Sequence, residues 1–191
     1  MTPFFFEHTW VAPAVWTLLY ISDHTLTIWC ARLYRRQEKI AYEGSFELNP
    51  IFQREVDSLR WVSVKFLAAL ILTNALLALI LLLDKPVAPG LLTFALGAIV
   101  SSQLAIHVRH FRNLYVFSVV GSPVAARGRI EYSRPFVLHM SAVDLLAFSG
   151  MFALLYVFTS SWFVLGGASA CFFLAGKHWW LARRRAARTG A

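Results

Sequence analysis

FLAALILTNALLALILLL, residues 66–83, is a run of residues without a single charge. A helix needs about 20 mostly apolar residues to cross the hydrocarbon core of a bilayer, and residues 62–83 supply them. Four further stretches have the same character. The sequence therefore predicts five membrane spans, at residues 10–34, 62–83, 89–107, 136–160 and 161–182. The predicted fold is an all-α, polytopic membrane helix bundle that forms one domain over residues 1–191.

The composition agrees with a membrane protein. Hydrophobic residues make up 58% of the chain and charged residues 15%, against about 25% charged residues in soluble domains. The formal charge of +8 does not indicate nucleic acid, because the basic residues flank apolar runs, where anionic lipid head groups attract them. The chain also has no zinc-finger spacing, Gly-rich phosphate loop or RNA-binding signature. The bilayer and its anionic head groups are the expected partners.

Cysteine usage and the N-terminus add two expectations. Cys30 and Cys171 both lie in apolar stretches, so we expect small buried hydrophobic side chains and no structural disulfide. The first residues, MTPFFFEH, contain no basic n-region, so a cleavable signal peptide is not expected.

The basic residues also predict an orientation. All Lys and Arg residues except Lys85 lie in or beside the first loop (35–61), the third loop (108–135) and the C-terminus. The positive-inside rule places these segments in the cytoplasm, with the N-terminus outside and the C-terminus inside. Short connections at residues 84–86 and 159–161 predict two tight helical hairpins.

Two of the cytoplasmic segments suggest structure of their own. In FELNPIFQREVDSLRW, residues 46–61, Asn49 is a predicted N-cap and Pro50 the first helical residue. The helix is amphipathic and is expected either on the membrane surface or as an extension of the second span. In VVGSPVAARGRIEYSRP, residues 119–135, two turn signals predict a small hairpin or an irregular loop.

The first span contains ionisable side chains that do not suit hydrocarbon. A carboxylate at the bilayer centre costs about 2.5–3.5 kcal/mol on insertion scales, so such residues usually face protein or water. Steps of three and four place one stripe of residues along the helix, namely Trp16, Tyr20, Asp23, Thr27 and Cys30. His24 lies about 100° around the helix from Asp23, so the two side chains do not share one face fully.

Aligning the spans by depth brings further polar residues to the level of Asp23. We expect a polar layer in the inner half of the bundle, formed by Asp23, His24, Thr27, Gln103, His107, Ser141 and Asp144. The alternative is that these groups only bond neighbouring helices, which contributes about 0.6 kcal/mol on average. His107 and His110 also suit a position at the membrane interface. Candidates for metal ligation are Asp23, His24, His107 and His110, but no compact ligand motif or cofactor signature is present.

The last span contains small residues and an aromatic, basic end. Gly166 and Ala170 form a small-xxx-small pair, which permits close helix approach within the protomer or between protomers. The segment at residues 177–180, Lys-His-Trp-Trp, is a predicted interfacial anchor ahead of the basic tail.

Asp23 and Thr27, followed by Glu47-Leu48-Asn49-Pro50, form a combination of short motifs. It resembles the Asp/Thr and Glu-x-Asn-Pro pattern of some small prokaryotic integral membrane proteins of unknown function. The resemblance covers the first two spans. It implies a small protein of the prokaryotic inner membrane and makes Glu47 and Asn49 candidates for a cytoplasmic site.

These features predict a small membrane transport protein that moves protons, cations or a small solute past the polar layer. Asp23 and Asp144 would be the ion or proton sites, with His24 as a relay near neutral pH. Five short spans leave little room for an aqueous pathway, so we expect a homo-oligomer or a partner membrane protein. The alternatives are an intramembrane enzyme acting on a lipid or isoprenoid carrier, using Asp23, His24, Glu47 and His107, and a structural or sensory subunit of a larger complex.

Overall fold

A computed structural model describes residues 8, 10–83, 90–122 and 124–189, and this part of the chain is all-α with one short sheet. The predicted all-α class is therefore confirmed. The elements in chain order are α1 (Val11–Arg36), β1 (Ile40–Tyr42), α2 (Gln53–Asp57), α3 (Val64–Leu83), α4 (Leu91–Val119), β2 (Ile130–Tyr132), α5 (Arg134–Thr159) and α6 (Trp162–Thr189).

Three of these helices, α3, α4 and α5, are long and apolar enough to cross a membrane. The chain therefore has the character of a membrane protein. Helices α1 and α6, with 26 and 28 residues, are also long enough to cross a membrane, but they are less apolar. A count of five spans and the orientation of the bundle stay predictions.

Helix α4 occupies the centre of the bundle. Helices α1 and α6 both pack against α4, α5 packs against α6, and α3 lies at the margin against α1 and α4. Residues 37–63 and 120–133 lie together at one end, because β1 pairs with β2 there. We call this end the loop end, and the other the opposite end.

Helix packing is closest toward the opposite end. A methyl group added at Gly97 of α4 would lie 1.8 Å from the carbonyl oxygen of Phe163 in α6. One added at Gly166 would lie 2.0 Å from the carbonyl oxygen of Phe94. Gly166 therefore serves packing within the protomer. Between α1, α3 and α4 an apolar cluster fills the same end, formed by Ala12, Trp16, Leu77, Leu92 and Leu96.

Helix α4 continues well past the predicted end of its span at residue 107, so the expected third loop at 108–135 is wrong in its first part. The helix runs to Val119. Arg109 and Arg112 were expected to belong to a loop, but their charges are offset by Asp144 of α5 and do not end the helix. The connection between α4 and α5 is correspondingly short.

The loop end was predicted to contain a hairpin or an irregular loop within residues 119–135 and a helix beginning at Asn49. The hairpin is wrong, because β2 pairs in parallel with β1 from the first loop, with Ile40 opposite Ile130. The alternative of an irregular loop holds for residues 120–122 and 124–129, which form neither helix nor strand. The predicted helix start at Asn49 and Pro50 is also wrong. Helix α2 begins only at Gln53, and Asn49 instead accepts a hydrogen bond from the Ile51 amide in the preceding turn.

Helix α2 is not an extension of α3, and one side of it packs on α1. Its Val56 is buried against Ile28 and Ala31 of α1. Leu59, with φ of 52°, turns the chain away after α2, and α3 begins five residues later. At the other short connection, Ser160 with φ of 48° reverses the chain between α5 and α6, as a tight hairpin requires. The predicted connection at residues 84–86 lies outside the described residues.

Candidate functional site

A cavity of about 340 Å³ lies in the half of the bundle nearer the loop end. Helix α4 forms one wall, while α1, α5 and α6 supply the others. The segment at residues 42–56, which we call the roof, lines the cavity at the loop end together with Tyr132. The exposed residues Arg112, Met140 and Lys177 show where the cavity meets the surface of the bundle.

The α1 wall holds a carboxylate–histidine pair. His110 of α4 donates from Nε2 to Asp23 Oδ1 at 2.9 Å, which fixes the ring, and Thr27 Oγ1 lies 3.2 Å from the same nitrogen. The Thr27 hydroxyl donates in turn to the Asp23 carbonyl oxygen at 2.9 Å. The other ring nitrogen of His110, Nδ1, is buried and has no hydrogen-bond partner among the described residues. This arrangement leaves one nitrogen that can accept a proton.

A second charged group joins α4 to α5. Arg112 donates to Asp144 Oδ2 at 3.2 Å, and Arg109 Nε lies 3.6 Å from the same oxygen. The longer distance suits an ion pair but not a hydrogen bond, so Arg109 Nε is buried without an acceptor in the described residues. Two guanidinium groups thus share one carboxylate oxygen at the cavity wall.

The roof is held by polar contacts to α5. Arg134, which is buried at the start of α5, donates to the carbonyl oxygens of Ser45 and Glu47. The Glu47 side chain accepts from the Asn49 amide at 2.6 Å and lines the cavity. Burial raises the pKa of the Glu47 carboxyl, an effect that the Asn49 hydrogen bond partly offsets. Glu47 therefore carries less negative charge than an exposed carboxylate would at the same pH.

Most of the residues predicted for the polar layer line this one cavity. Apart from Asp23, Thr27 and Asp144, they are His24, Gln103 and Ser141, joined by Glu47 and Asn49 of the proposed cytoplasmic site. His24 also reaches away from Asp23, since its Nε2 donates to the Arg60 carbonyl oxygen at 3.2 Å and its ring packs on Phe66. Their placement is a geometric finding, and their roles stay predictions.

His107 does not line the cavity. Its Nδ1 donates to the Gln103 carbonyl oxygen at 2.7 Å, and its Nε2 lies 2.7 Å from Ser22 Oγ in α1. The imidazole is buried, not placed at an exposed interface. His107 thus belongs to the contact between α1 and α4, although Gln103 and His110 on the same helix line the cavity.

Four cavity residues with a basic or imidazole side chain were not among the predicted site residues, namely Arg109, Arg112, Lys177 and His178. The first two were attributed to a loop and the last two to a membrane anchor. His178 is instead half-buried, with Nδ1 2.6 Å from Ser141 Oγ. The helical spacing from Gln103 through Ile106 to Arg109 was the available signal, since it places these residues on one face.

The four candidates for metal ligation do not come together. Asp23 bonds His110, whereas His24 and His107 are turned to other partners. Across residues 10–83, 90–122 and 124–189, no group of three or more His, Cys, Asp or Glu side chains is placed to share a metal ion.

Known proteins offer no guide to this site. A scan against models of known protein families found no match, and searches of curated proteins and of solved structures found none either.

Proposed function

We propose that the protein is a small integral membrane transport protein whose cavity binds a small solute or protons during passage across the bilayer. In this proposal the five long helices all cross the cell membrane, and the basic loop end faces the cytoplasm. The protein works as a homo-oligomer or beside a partner membrane protein, since one copy of five helices offers little room for a complete aqueous pathway.

One observation carries the proposal: the cavity has charged and polar side chains in its lining and reaches the surface near the loop end, while the described residues of the opposite end are closely packed. Cavities of about 300–1,000 Å³ are typical of small-molecule sites. Beyond the cavity, Trp16 and Leu96 belong to an apolar cluster, and Gly97 brings α4 into direct contact with α6. A carrier that is open to one side of a membrane requires this combination of an accessible site and a closed far side.

The Asp23–His110 pair supplies the proton chemistry. Ionisable groups within a membrane bundle typically serve ion or proton pathways when they face a polar interior. Asp23 orients the His110 ring through Nε2, which leaves Nδ1 as the nitrogen that takes up or releases a proton. Histidine changes charge near neutral pH and suits a relay of this kind.

The test is Asp23→Asn in proteoliposomes with a pH-sensitive dye inside. Asparagine keeps the size and much of the hydrogen bonding but does not ionise, so the variant separates charge from packing. We expect a folded, normally assembled protein that has lost pH-dependent flux. Glu131→Gln is the matched control, because Glu131 is an exposed carboxylate on β2 outside the cavity. Full flux in a well-folded Asp23→Asn protein would end the transport role of Asp23.

A second candidate is an intramembrane enzyme acting on a lipid or isoprenoid carrier. It is favoured by one observation, the histidine that a carboxylate orients and whose buried Nδ1 has no partner in the part of the chain that the structure describes, which is the arrangement of a general base. The two functions differ in whether their assay requires a sealed vesicle. An enzyme would convert added lipid in detergent micelles and lose that conversion in His110→Gln, whereas a transporter produces flux only across a sealed vesicle.

A further inference from the structure

Three buried polar atoms that have no hydrogen-bond partner among the described residues lie on residues of one wall of the cavity. They are Gln103 Oε1, Arg109 Nε and His110 Nδ1, all on α4 and all on residues that line the cavity. Gln103 is 8% exposed, so its amide oxygen is removed from bulk solvent. A buried polar atom left without a partner costs about 1–3 kcal/mol. Three such atoms within eight residues of one helix indicate a group that the chain itself does not supply.

The charged side chains around these atoms indicate the charge of the missing partner. Three basic side chains line the cavity, Arg109, Arg112 and Lys177, against three carboxylates, Asp23, Glu47 and Asp144. Asp144 is shared between two guanidinium groups, and Asp23 is committed to His110. Arg109 and Arg112 thus face a single carboxylate, so this side of the lining carries a positive excess and favours an anion.

The chemistry of the three atoms defines the rest of the ligand. Arg109 Nε is a donor and needs an acceptor, which an anionic oxygen supplies best. Gln103 Oε1 is an acceptor, and His110 Nδ1 is an acceptor when Nε2 carries the hydrogen for Asp23, so both need donors. Because these needs fall on one helix wall, one small molecule with both kinds of group satisfies them together.

We propose that the α4 wall binds an organic anion that also carries hydroxyl donors, of the class represented by a phosphate ester of a polyol. Its anionic oxygen meets Arg109 and its hydroxyl groups meet Gln103 and His110. The inference deepens the proposed function by naming the ligand class of the same cavity. A soluble phosphate ester and a lipid head group share this chemistry.

The volume and the wall opposite α4 are compatible with both sources. About 340 Å³ accommodates a group of this size, since one water molecule in the liquid occupies about 30 Å³. Val137, Met140 and Leu145 of α5 line the cavity beside the charged residues, and Met140 is 40% exposed. This apolar edge gives the hydrocarbon part of a lipid a place to leave the cavity.

Binding is measured on the full chain in detergent by isothermal titration calorimetry, with glycerol 3-phosphate, inorganic phosphate and glycerol as probes. We expect glycerol 3-phosphate to bind at least tenfold more tightly than either of the others, since only it offers an anion and hydroxyl donors together. A short-chain phosphatidylglycerol below its micelle concentration tests the lipid source. Tighter binding of that lipid assigns the site to a head group, and tighter binding of glycerol 3-phosphate assigns it to a soluble ester.

Two variants test the wall directly. Gln103→Leu should weaken glycerol 3-phosphate binding about tenfold, the effect of losing about 1.4 kcal/mol of binding free energy. Asn74→Leu is the matched control: Asn74 Oδ1 is likewise buried without a partner among the described residues, but Asn74 does not line the cavity. Arg109→Lys keeps the charge and removes Nε, and should weaken binding further while the protein stays folded.

Two results would overturn the inference. If none of the probes binds, water satisfies the three atoms and the ligand class is wrong. Equal loss of affinity in Gln103→Leu and Asn74→Leu would show that the wall has no special part in binding. These outcomes are separate from the proposed function, because calorimetry requires no flux. Proton flux without binding would leave transport standing, and binding without flux would leave the site standing.

Discussion

The two ends of the bundle are packed in different ways. At the opposite end, glycine lets α4 and α6 approach until backbone touches backbone, and apolar side chains fill the remaining space. At the loop end, ion pairs join α4 to α5, and a cavity remains between the helices. Close packing tolerates little change, whereas ion pairs and a covering segment allow a site to be opened. We infer that the opposite end is the scaffold and that the loop end is the working part.

The largest expected effect is a loss of stability at the closely packed opposite end. Gly97→Ala should destabilise the protein by about 3 kcal/mol, because the new methyl group meets the Phe163 backbone and the helices must separate. Unfolding by a denaturing detergent, followed by circular dichroism, measures the loss.

Gly150→Ala is the control for this substitution, since a methyl group at Gly150 in α5 meets nothing within 4 Å. We expect its stability to be unchanged or slightly higher, as alanine favours helix over glycine. Equal stability of Gly97→Ala and Gly150→Ala would remove the distinction between the two ends.

The next effect concerns the roof. Arg134→Met removes the guanidinium that donates to the Ser45 and Glu47 carbonyl oxygens, and methionine keeps the apolar stem. We expect a local loss of about 2 kcal/mol, since hydrogen bonds to charged groups contribute about 1.5–3 kcal/mol.

Hydrogen–deuterium exchange measures this loss of local stability in the roof. Amides of residues 43–53 should exchange faster in Arg134→Met while those of α6 near Gly166 stay protected. Arg129→Met, at an exposed position in the preceding loop, should leave both regions unchanged. Faster exchange throughout the bundle would mean that the roof and the scaffold are one unit.

A smaller effect depends on pH. The folded-state pKa of Glu47 is raised above its ordinary value of 4.5, so the folded protein binds the proton more tightly than the unfolded chain does. The stability contribution of Glu47 is therefore fully present below pH 4.5 and is lost as the pH rises through the folded-state pKa. The slope is at most about 1.4 kcal/mol per pH unit.

Glu47→Gln should remove this part of the pH dependence. The melting temperatures of the variant and the unaltered protein should converge at low pH and separate as the pH rises above 4.5, with the variant more stable. Parallel melting curves across the range would contradict a buried, proton-binding Glu47.

The smallest effect is expected at Asn49. Its side chain accepts one hydrogen bond from Ile51 in a turn, at 3.2 Å, and does not cap a helix. Asn49→Ala should cost about 0.5 kcal/mol, the lower end for a single hydrogen bond. Asn49→Asp keeps the acceptor and should cost less. A loss near 2 kcal/mol in Asn49→Ala would show that the turn supports more of the roof than its one bond indicates.

Local pattern was sufficient to predict much of the bundle and much of the cavity lining. Long apolar runs indicated the helices, and alignment of the spans by depth brought Asp23, Gln103, Ser141 and Asp144 to a common level. Both predictions depend only on the helical period and on the alternating direction of successive spans. Neither requires knowledge of contacts between distant residues. The described helix bounds lie within a few residues of those expected for α1, α3 and α5.

The remainder depended on contacts between distant residues. Arg109 looked like a loop charge because its carboxylate partner lies on another helix, 35 positions away at Asp144. His178 looked like part of an anchor because its neighbour Ser141 lies 37 positions earlier in the chain. The strand at Ile130 has its partner in the first loop. A sequence pattern reports only local preferences. The positions of these three residues depend on contacts with residues far away in the sequence.

The parallel ladder between β1 and β2 has a consequence for how the protein is made. Ile40 pairs with Ile130, so the first strand leaves the ribosome ninety residues before its partner. Until then the roof has neither that strand nor the Arg134 contacts to hold it, and the cavity wall from α5 is missing. Long-range pairings of this kind form late, because their loop-closure entropy must be overcome first. The nascent chain must therefore keep its aromatic first loop from aggregating until α5 has been synthesised.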